Sequence, residues 1–266
     1  MAKRRVYITG GAGRVGQLLQ REWAKKMIFH PIFLKRSDWD ILTKPAPALT
    51  RDDIVLDLAG NVRGDVSANP LLASRVAEWA GAAGAAHFYM SSASVYSGGQ
   101  GRMSETDALS PSTAYGQSKA LAESLARNVY QLTTILRLGN VAGIDALLGG
   151  LQPNKRAVLD RVDGQLHGPV RSYIGPKTLA LTLSKLFEAA IKGNGMPSVI
   201  NVAQPPPVSM ADLLIASGHE WEYGPERPGV IPRVELSTDR LESICFVPHA
   251  TAEQLVAEAS EARISQ

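Results

Sequence analysis

Thr9-Gly10-Gly11-Ala12-Gly13-Arg14-Val15-Gly16 follows a short β-rich run at residues 6–9. It opens a stretch, from about 14 to 26, in which Val15, Leu18, Leu19 and Trp23 share one face of a helix. Glycines are needed at such a junction for a tight turn, for backbone contact with a pyrophosphate, and for close packing of helix on strand. The helix N-terminus then faces the negative charge. A glycine-rich turn alone is a weak signal; placed between a strand and a helix it reads as a dinucleotide-binding turn.

Outward from that turn, apolar runs at 31–34, 54–59, 87–91 and 133–138 read as strands, and residues 69–83 and 112–130 as helices. The run at 54–59 is continuously apolar, as expected of a strand covered on both faces. We read the order as βαβαβαβ, which predicts an α/β fold with a doubly wound parallel sheet and right-handed crossovers. After residue 144 the pattern loosens. Residues 147–169 are rich in Gly, Pro and polar types, 177–192 form an amphipathic helix, and 199–202 a further strand. Pro205-Pro206-Pro207 reads as an extended connector or turn, and 210–217 and 252–262 look helical. The expectation is a Rossmann core over 1–144, with 145–266 supplying remaining sheet elements interleaved with a small substrate-binding lobe.

The chain has 266 residues, of which 45% are hydrophobic and 20% charged, enough for a well-filled core. A net charge of +3 is too small to argue for a nucleic-acid surface. The single cysteine, Cys245, excludes an intrachain disulfide framework and fits a reducing compartment. No run approaches the roughly 18 apolar residues of a membrane span, and the basic start Met1-Ala2-Lys3-Arg4-Arg5 lacks an apolar signal core behind it. A cytoplasmic protein with no membrane partner is expected. The five histidines show no metal-ligand spacing, so no metal is expected.

Two further features carry chemistry. Tyr115-Gly116-Gln117-Ser118-Lys119 puts a tyrosine and a lysine on one helix face. Such a lysine lowers the tyrosine pKa and hydrogen-bonds a nicotinamide ribose, while the tyrosine moves a proton to or from a substrate hydroxyl. The pair is informative because of its order: glycine turn, then Ser91-Ser92-Ala93-Ser94-Val95-Tyr96 at a strand end, then Tyr115 and Lys119. About 20 residues beyond the glycines, where a ribose-binding acid is expected, stands Leu34-Lys35-Arg36-Ser37-Asp38. Lys35 and Arg36 point to a 2′-phosphate and so to NADP ahead of NAD, the other reading being a solvated turn with Asp38 on the ribose.

Taken together, these residues resemble the extended short-chain dehydrogenase/reductase family, the NAD-dependent epimerase/dehydratase group that includes UDP-galactose 4-epimerase. Thr9 to Gly16 has the extended T-G-x-x-G-x-x-G spacing. The resemblance implies a catalytic set of Ser92, Tyr115 and Lys119. It implies a cofactor site of Gly10, Gly13, Arg14, Val15, Gly16, Asp40-Ile41 (the adenine pair) and Leu58-Ala59-Gly60, with Tyr115 and Lys119 at the nicotinamide end. Arg137-Leu138-Gly139-Asn140-Val141-Ala142-Gly143 resembles the family's R-x-x-N-x-x-G, so Asn140 is implied at the phosphate of a nucleotide-sugar. Arg171-Ser172-Tyr173-Ile174 resembles the stretch whose arginine grips the nucleotide pyrophosphate, although Gly175-Pro176-Lys177-Thr178 replaces the family's H-V-D-D.

The implied activity is hydride exchange between NAD(P) and a hydroxyl or keto group of a sugar or nucleotide-sugar, as an epimerase, dehydrogenase or reductase. Reduction of a small non-sugar carbonyl, or a non-catalytic NADP-sensing or scaffold role on the same fold, is the alternative. Ala93-Ser94 stands where dehydratases carry Asp-Glu, which argues against dehydration by that mechanism. Glu105 and Asp107 read as a solvated turn, and Trp221, Tyr223 and Arg233 as packing residues of a Pro/Gly-rich stretch. Relatives pair the helices at about 67–83 and 112–130 across a two-fold axis. The small residues Ala114, Ala122 and Ala126 are the expected contact face of a homodimer.

Overall fold

The computed structural model describes residues 3–24, 27–96, 101–162, 167–193 and 195–264. In chain order its first half contains β1 (Arg5–Thr9), α1 (Arg14–Glu22), β2 (His30–Phe33), β3 (Ile54–Asp57), α2 (Asn69–Ala83), β4 (Ala86–Ser92), β5 (Arg102–Met103), α3 (Ala114–Val129), β6 (Thr134–Leu138) and β7 (Asn140–Val141). There follow β8 (Ala157–Leu159), β9 (Val170–Ile174), α4 (Pro176–Ile191), β10 (Val199–Val202), β11 (Gln204–Ser209), α5 (Met210–Ala216), β12 (Trp221–Tyr223), β13 (Arg233–Leu236), α6 (Asp239–Glu242) and α7 (Ala252–Ile264).

Six parallel strands form the main sheet in the order β10-β6-β4-β3-β1-β2. Alternate residues serve opposite faces. Val6, Ile8, Ile54 and Leu56 enter the largest apolar cluster, with Leu183 and Phe187 of α4 and Leu18 and Leu19 of α1. Tyr7 and Val55 point the other way, toward Val76 and Trp79 of α2. Both faces are thus covered, which is the condition for an all-parallel sheet. The strand order reverses between β1 and β3, so a crevice opens at their carboxyl ends, where ligands bind in doubly wound folds.

Two expectations are corrected. The alternation is not strict: between β2 and β3 the chain runs as turns and extended segments with no helix. Pro45 and Pro47 are incompatible with a helix interior. The buried Trp39 ring, 4.6 Å from that of Trp79, holds this crossover down, as does the bond from Trp79 Nε1 to the Pro47 carbonyl. The proline triplet is a strand, β11, and not a connector. It lies at one end of the second sheet, β11-β9-β13-β5, pairing antiparallel with β9. An edge position tolerates residues that have no N–H to donate. No helix among the described residues is long and apolar enough to cross a membrane.

Candidate active site

The glycine turn leaves β1 through Gly10 at φ +67°, where a Cβ would come within 2.7 Å of the Leu58 carbonyl oxygen. A Cβ on Gly16 would lie 2.6 Å from the carbonyl oxygen of Gly10. The turn therefore closes only with glycine at these two places, and it presents backbone rather than side chains. Gly13 caps α1 without a side-chain bond, so the helix start faces the crevice with polar backbone available to an anion. Gly10, Gly13, Arg14, Val15 and Gly16 line one wall of a cleft of about 390 Å³, with Leu58 and Gly60 beside them. This bare backbone cradle fits a dinucleotide pyrophosphate. Arg14 also straps the cleft, its guanidinium donating to the Ile144 carbonyl at 2.6 Å.

The cofactor candidates Lys35, Arg36, Asp40, Ile41 and Ala59 lie outside the cleft lining. Gly11 N donates to the Leu34 carbonyl, which sets the end of β2 against the turn. Lys35 and Arg36 follow directly and are exposed. Arg36 pairs with Asp40 at 3.1 Å, and that bond holds the Asp40 carboxyl below its usual value. Asp38 accepts the Lys35 backbone N–H. Ile41 packs partly buried beside Trp39 and Trp79. Ala59 is buried, and its N–H donates to Thr9 Oγ1 and Asp57 Oδ1.

The catalytic candidates meet opposite the glycines. β4 ends at Ser92, whose Oγ accepts from the Ser94 N–H and hydroxyl. Thr113 caps α3 by accepting the Gly116 N–H at 3.0 Å, which orients the first turn carrying Tyr115. Burial pushes the Tyr115 phenol above its usual pKa, and the hydroxyl of Ser92 draws it back. One turn on, Lys119 is buried, with Nζ donating to Tyr89 Oη at 3.0 Å and to the Met90 carbonyl at 2.7 Å. Burial pushes its pKa down to about 8, opposed by the charges of Asp57 and Glu123. Ser92, Tyr115 and Lys119 all line the same cleft as the glycines.

Several participants were not singled out from sequence. Asp57 is fully buried behind the glycine turn. Glu123, one turn beyond Lys119, forms a buried ion pair with Arg137 at 2.8 Å and accepts from Ser91. Arg137 also donates to Tyr96 Oη at 2.7 Å. The i+4 spacing of Lys119 and Glu123 was the one available signal, and it says nothing about burial. Glu105 is corrected from a solvated turn residue. Its carboxylate is buried, accepts the Asn201 N–H and lies 3.9 Å from Arg240, so it ties this loop to β10 and α6. Asp107 is exposed and closes the turn through Ser104.

On the far wall, Asn140 lines the cleft, and Tyr173 is its neighbour in the β7–β9 pairing. Tyr173 donates to Asp145, another lining residue, at 2.9 Å. Arg171 is not brought into the cleft. Its guanidinium donates to the carbonyls of Val170, Ile231 and Pro232. Trp221 and Tyr223 stack edge to face at 5.1 Å on β12, and Arg233 pairs with Glu235.

A family model described as the RmlD substrate binding domain matches residues 4–146, more than half of the chain. The chain belongs to this family, within the extended short-chain dehydrogenases/reductases. Compared with curated proteins by sequence, this family member matches none. Among solved structures it is similar to UDP-glucuronic acid 4-epimerase from Bacillus cereus, at TM-score 0.80 and 18% identity, over 98% of this chain and 100% of that one. A dTDP-4-dehydrorhamnose reductase from Clostridium acetobutylicum aligns at TM-score 0.73 and 17% identity, over 97% and 99% of the two chains. A UDP-galactose 4-epimerase aligns at 0.70 and 18%, over 98% and 99%. The extended short-chain architecture therefore spans the whole chain, including the half that the family model does not match.

Proposed function

We propose that the protein is an NAD(P)-dependent oxidoreductase or epimerase acting on a hydroxyl or keto group of a sugar or nucleotide-sugar. The observation that carries this reading is the convergence of Ser92, Tyr115 and Lys119 with the backbone cradle of Gly10, Gly13 and Gly16 in one cleft. A nicotinamide dinucleotide bound in that cradle supplies the hydride donor or acceptor. Tyr115 passes its phenolic proton to the reacting oxygen, or takes one from it. Ser92 hydrogen-bonds the same oxygen and stabilises charge that develops there. The buried Lys119 ammonium, one turn away on α3, favours the phenolate and offers a donor to the ribose.

Lys35 and Arg36 favour NADP over NAD. Lys35 pairs with no carboxylate among the described residues, and Arg36 needs only to exchange Asp40 for a phosphate. The UDP-glucuronic acid 4-epimerase structure above is a complex with a UDP-sugar and NAD, which supports a nucleotide-sugar substrate with Asn140 on it. Arg171 grips a pyrophosphate only if it leaves its three carbonyls. Its withdrawal supports a second reading, in which the substrate is a smaller carbonyl compound without a nucleotide. A nucleotide cofactor and one free cysteine fit a cytoplasmic enzyme.

A homodimer through α2 and α3 is part of the proposal, on a different face from the one expected. Ala122 and Ala126 are fully buried against Ala73 and Ala77 of α2 within the same chain, so they are not a free surface. Leu121 and Val129 of α3 and Leu71 of α2 are exposed instead, an apolar stripe suited to an isologous contact. The activity is tested by following NADPH and NADH absorbance with a panel of keto-sugars, and by NMR of UDP- and dTDP-sugars incubated with protein and NAD. Turnover of a nucleotide-sugar supports the first reading; turnover of small carbonyls alone moves the assignment to the second; no turnover in either panel overturns both.

A further inference from the structure

The pairing of β1, β3 and β4 sets Thr9, Asp57 and Tyr89 side by side across three strands. Cross-strand partners in register point to the same face, here the one covered by α2 and α3, where Tyr89 packs on Ala73, Ala77, Ala122 and Ala126. Lys119 descends from α3 onto this row. Its Nζ reaches Tyr89 Oη and the Met90 carbonyl, and it lies 4.6 Å from the Tyr89 ring centroid. Asp57 is tied on one oxygen only. Oδ1 accepts from Thr9 Oγ1 at 2.5 Å and from the Ala59 N–H at 3.0 Å. Oδ2 is buried with no hydrogen-bond partner among the described residues.

A carboxylate oxygen left this way is costly unless a cation's field offsets it. The charged groups around the row alternate in sign: Asp57 on β3, Lys119 and Glu123 on α3, Arg137 on β6. The phenol of Tyr89 is within the field of Asp57, Glu123 and the phenol of Tyr115. Glu123 is committed to Arg137 by bonds of 2.8, 3.1 and 3.2 Å. Among the described residues, Asp57 has no such cation bonded to it and Lys119 no bonded carboxylate.

We propose that Asp57 is a positioning residue for the active site: its buried carboxylate is the counter-charge that keeps Lys119 protonated. This inference rests on the reading of Lys119 as a functional lysine. Asp57 acts through Lys119 and touches neither substrate nor the reacting atoms. Burial raises the Asp57 pKa to about 6 and lowers that of Lys119 to about 8, while each charge opposes the other's shift. Above the first value Asp57 is negative, and below the second Lys119 is positive, so the two charges coexist between pH 6 and 8. Acidification removes the carboxylate, and alkali removes the ammonium.

The test is site-resolved titration of the full chain by NMR, with ¹⁵N-labelled lysine and ¹³C-carboxyl aspartate. In Asp57→Asn the Lys119 midpoint should fall by about one pH unit, the size expected for loss of a nearby opposite charge. In Lys119→Met the Asp57 midpoint should rise by a similar amount, because a coupling is the same seen from either partner. The second variant carries the test if the first does not fold. Unchanged midpoints in either folded variant would overturn the proposal. Neither measurement needs turnover, so an inactive protein with coupled midpoints refutes the enzymatic reading alone, and an active one with independent midpoints refutes only the role of Asp57.

Discussion

Gly116→Ala tests whether α3, which carries Tyr115 and Lys119, depends on close approach to the β4 end. A Cβ at Gly116 would press on the carbonyl oxygen of Ser94, well inside the 3.0 Å limit of real Cβ contacts, and would sit 2.9 Å from Pro111 Cβ. The Ser94 obstacle is backbone of the 3₁₀ turn that begins after Ser92, so it cannot swing aside as a side chain does. Relief requires α3 and the turn to separate by roughly 0.5–1 Å, an overpacking that costs about 1–3 kcal/mol. Alanine regains about 0.5–1 kcal/mol of helix backbone entropy. The net is a loss of between about 0 and 2.5 kcal/mol, read as a fall of up to roughly 10 °C in Tm at this chain length. The effect on chemistry is larger, because the separation moves Tyr115 relative to Ser92 across the cleft that both line, and misplacement on this scale costs turnover of order 10²-fold. Cofactor binding should hold, since the glycine cradle lies on the opposite wall. Thermal melts, cofactor calorimetry and steady-state rates together decide it. A variant with raised Tm and turnover within about threefold of wild type would refute the packing on which the site is built.

Tyr115→Phe removes only the phenolic oxygen, so folding and cofactor affinity should survive while turnover falls by about 10²-fold or more; a near-normal rate would assign the proton to another group. Replacing Lys35 and Arg36 together by neutral residues should weaken NADPH binding far more than NADH binding in calorimetric titration. An equal loss for both cofactors, or tighter NADH binding by the unaltered protein, ends the case for NADP. Light scattering at micromolar concentration should return twice the chain mass, and Leu121→Asp should return the mass of one chain because it puts a charge on the exposed apolar residues of α3. A monomer before the substitution removes the reason for a two-fold contact.

How far the site was legible follows from the distance over which each feature is decided. The glycine turn, the Tyr115–Lys119 spacing and Ser92 at a strand end are set by a few consecutive residues, and they assemble in one cleft. The helix at Asn69–Ala83 agrees with its periodicity at both ends, helped by Pro70 in its first turn and Gly84 in the left-handed conformation behind it. The face of α3 was misjudged for a different reason. Ala122 and Ala126 stand on the side that α2 covers, and a helical stripe of small residues does not say which neighbour fills it.

The sequence by itself determined the parts whose causes are local: strand against helix periodicity, the turn that only glycine closes at Gly10 and Gly16, and a tyrosine and lysine one helical turn apart. Tertiary structure alone decided which side chains share a face across strands, and therefore what each buried charge meets. The lateral register of β1, β3 and β4 puts Asp57 beside Tyr89, the residue to which Lys119 bonds from 62 positions beyond Asp57 in the chain. The pairing of β9 with β13 sets Arg171 among backbone carbonyls and outside the cleft. Desolvation and charge pairing are set by everything packed around a group, so their outcome is written in no short stretch of sequence.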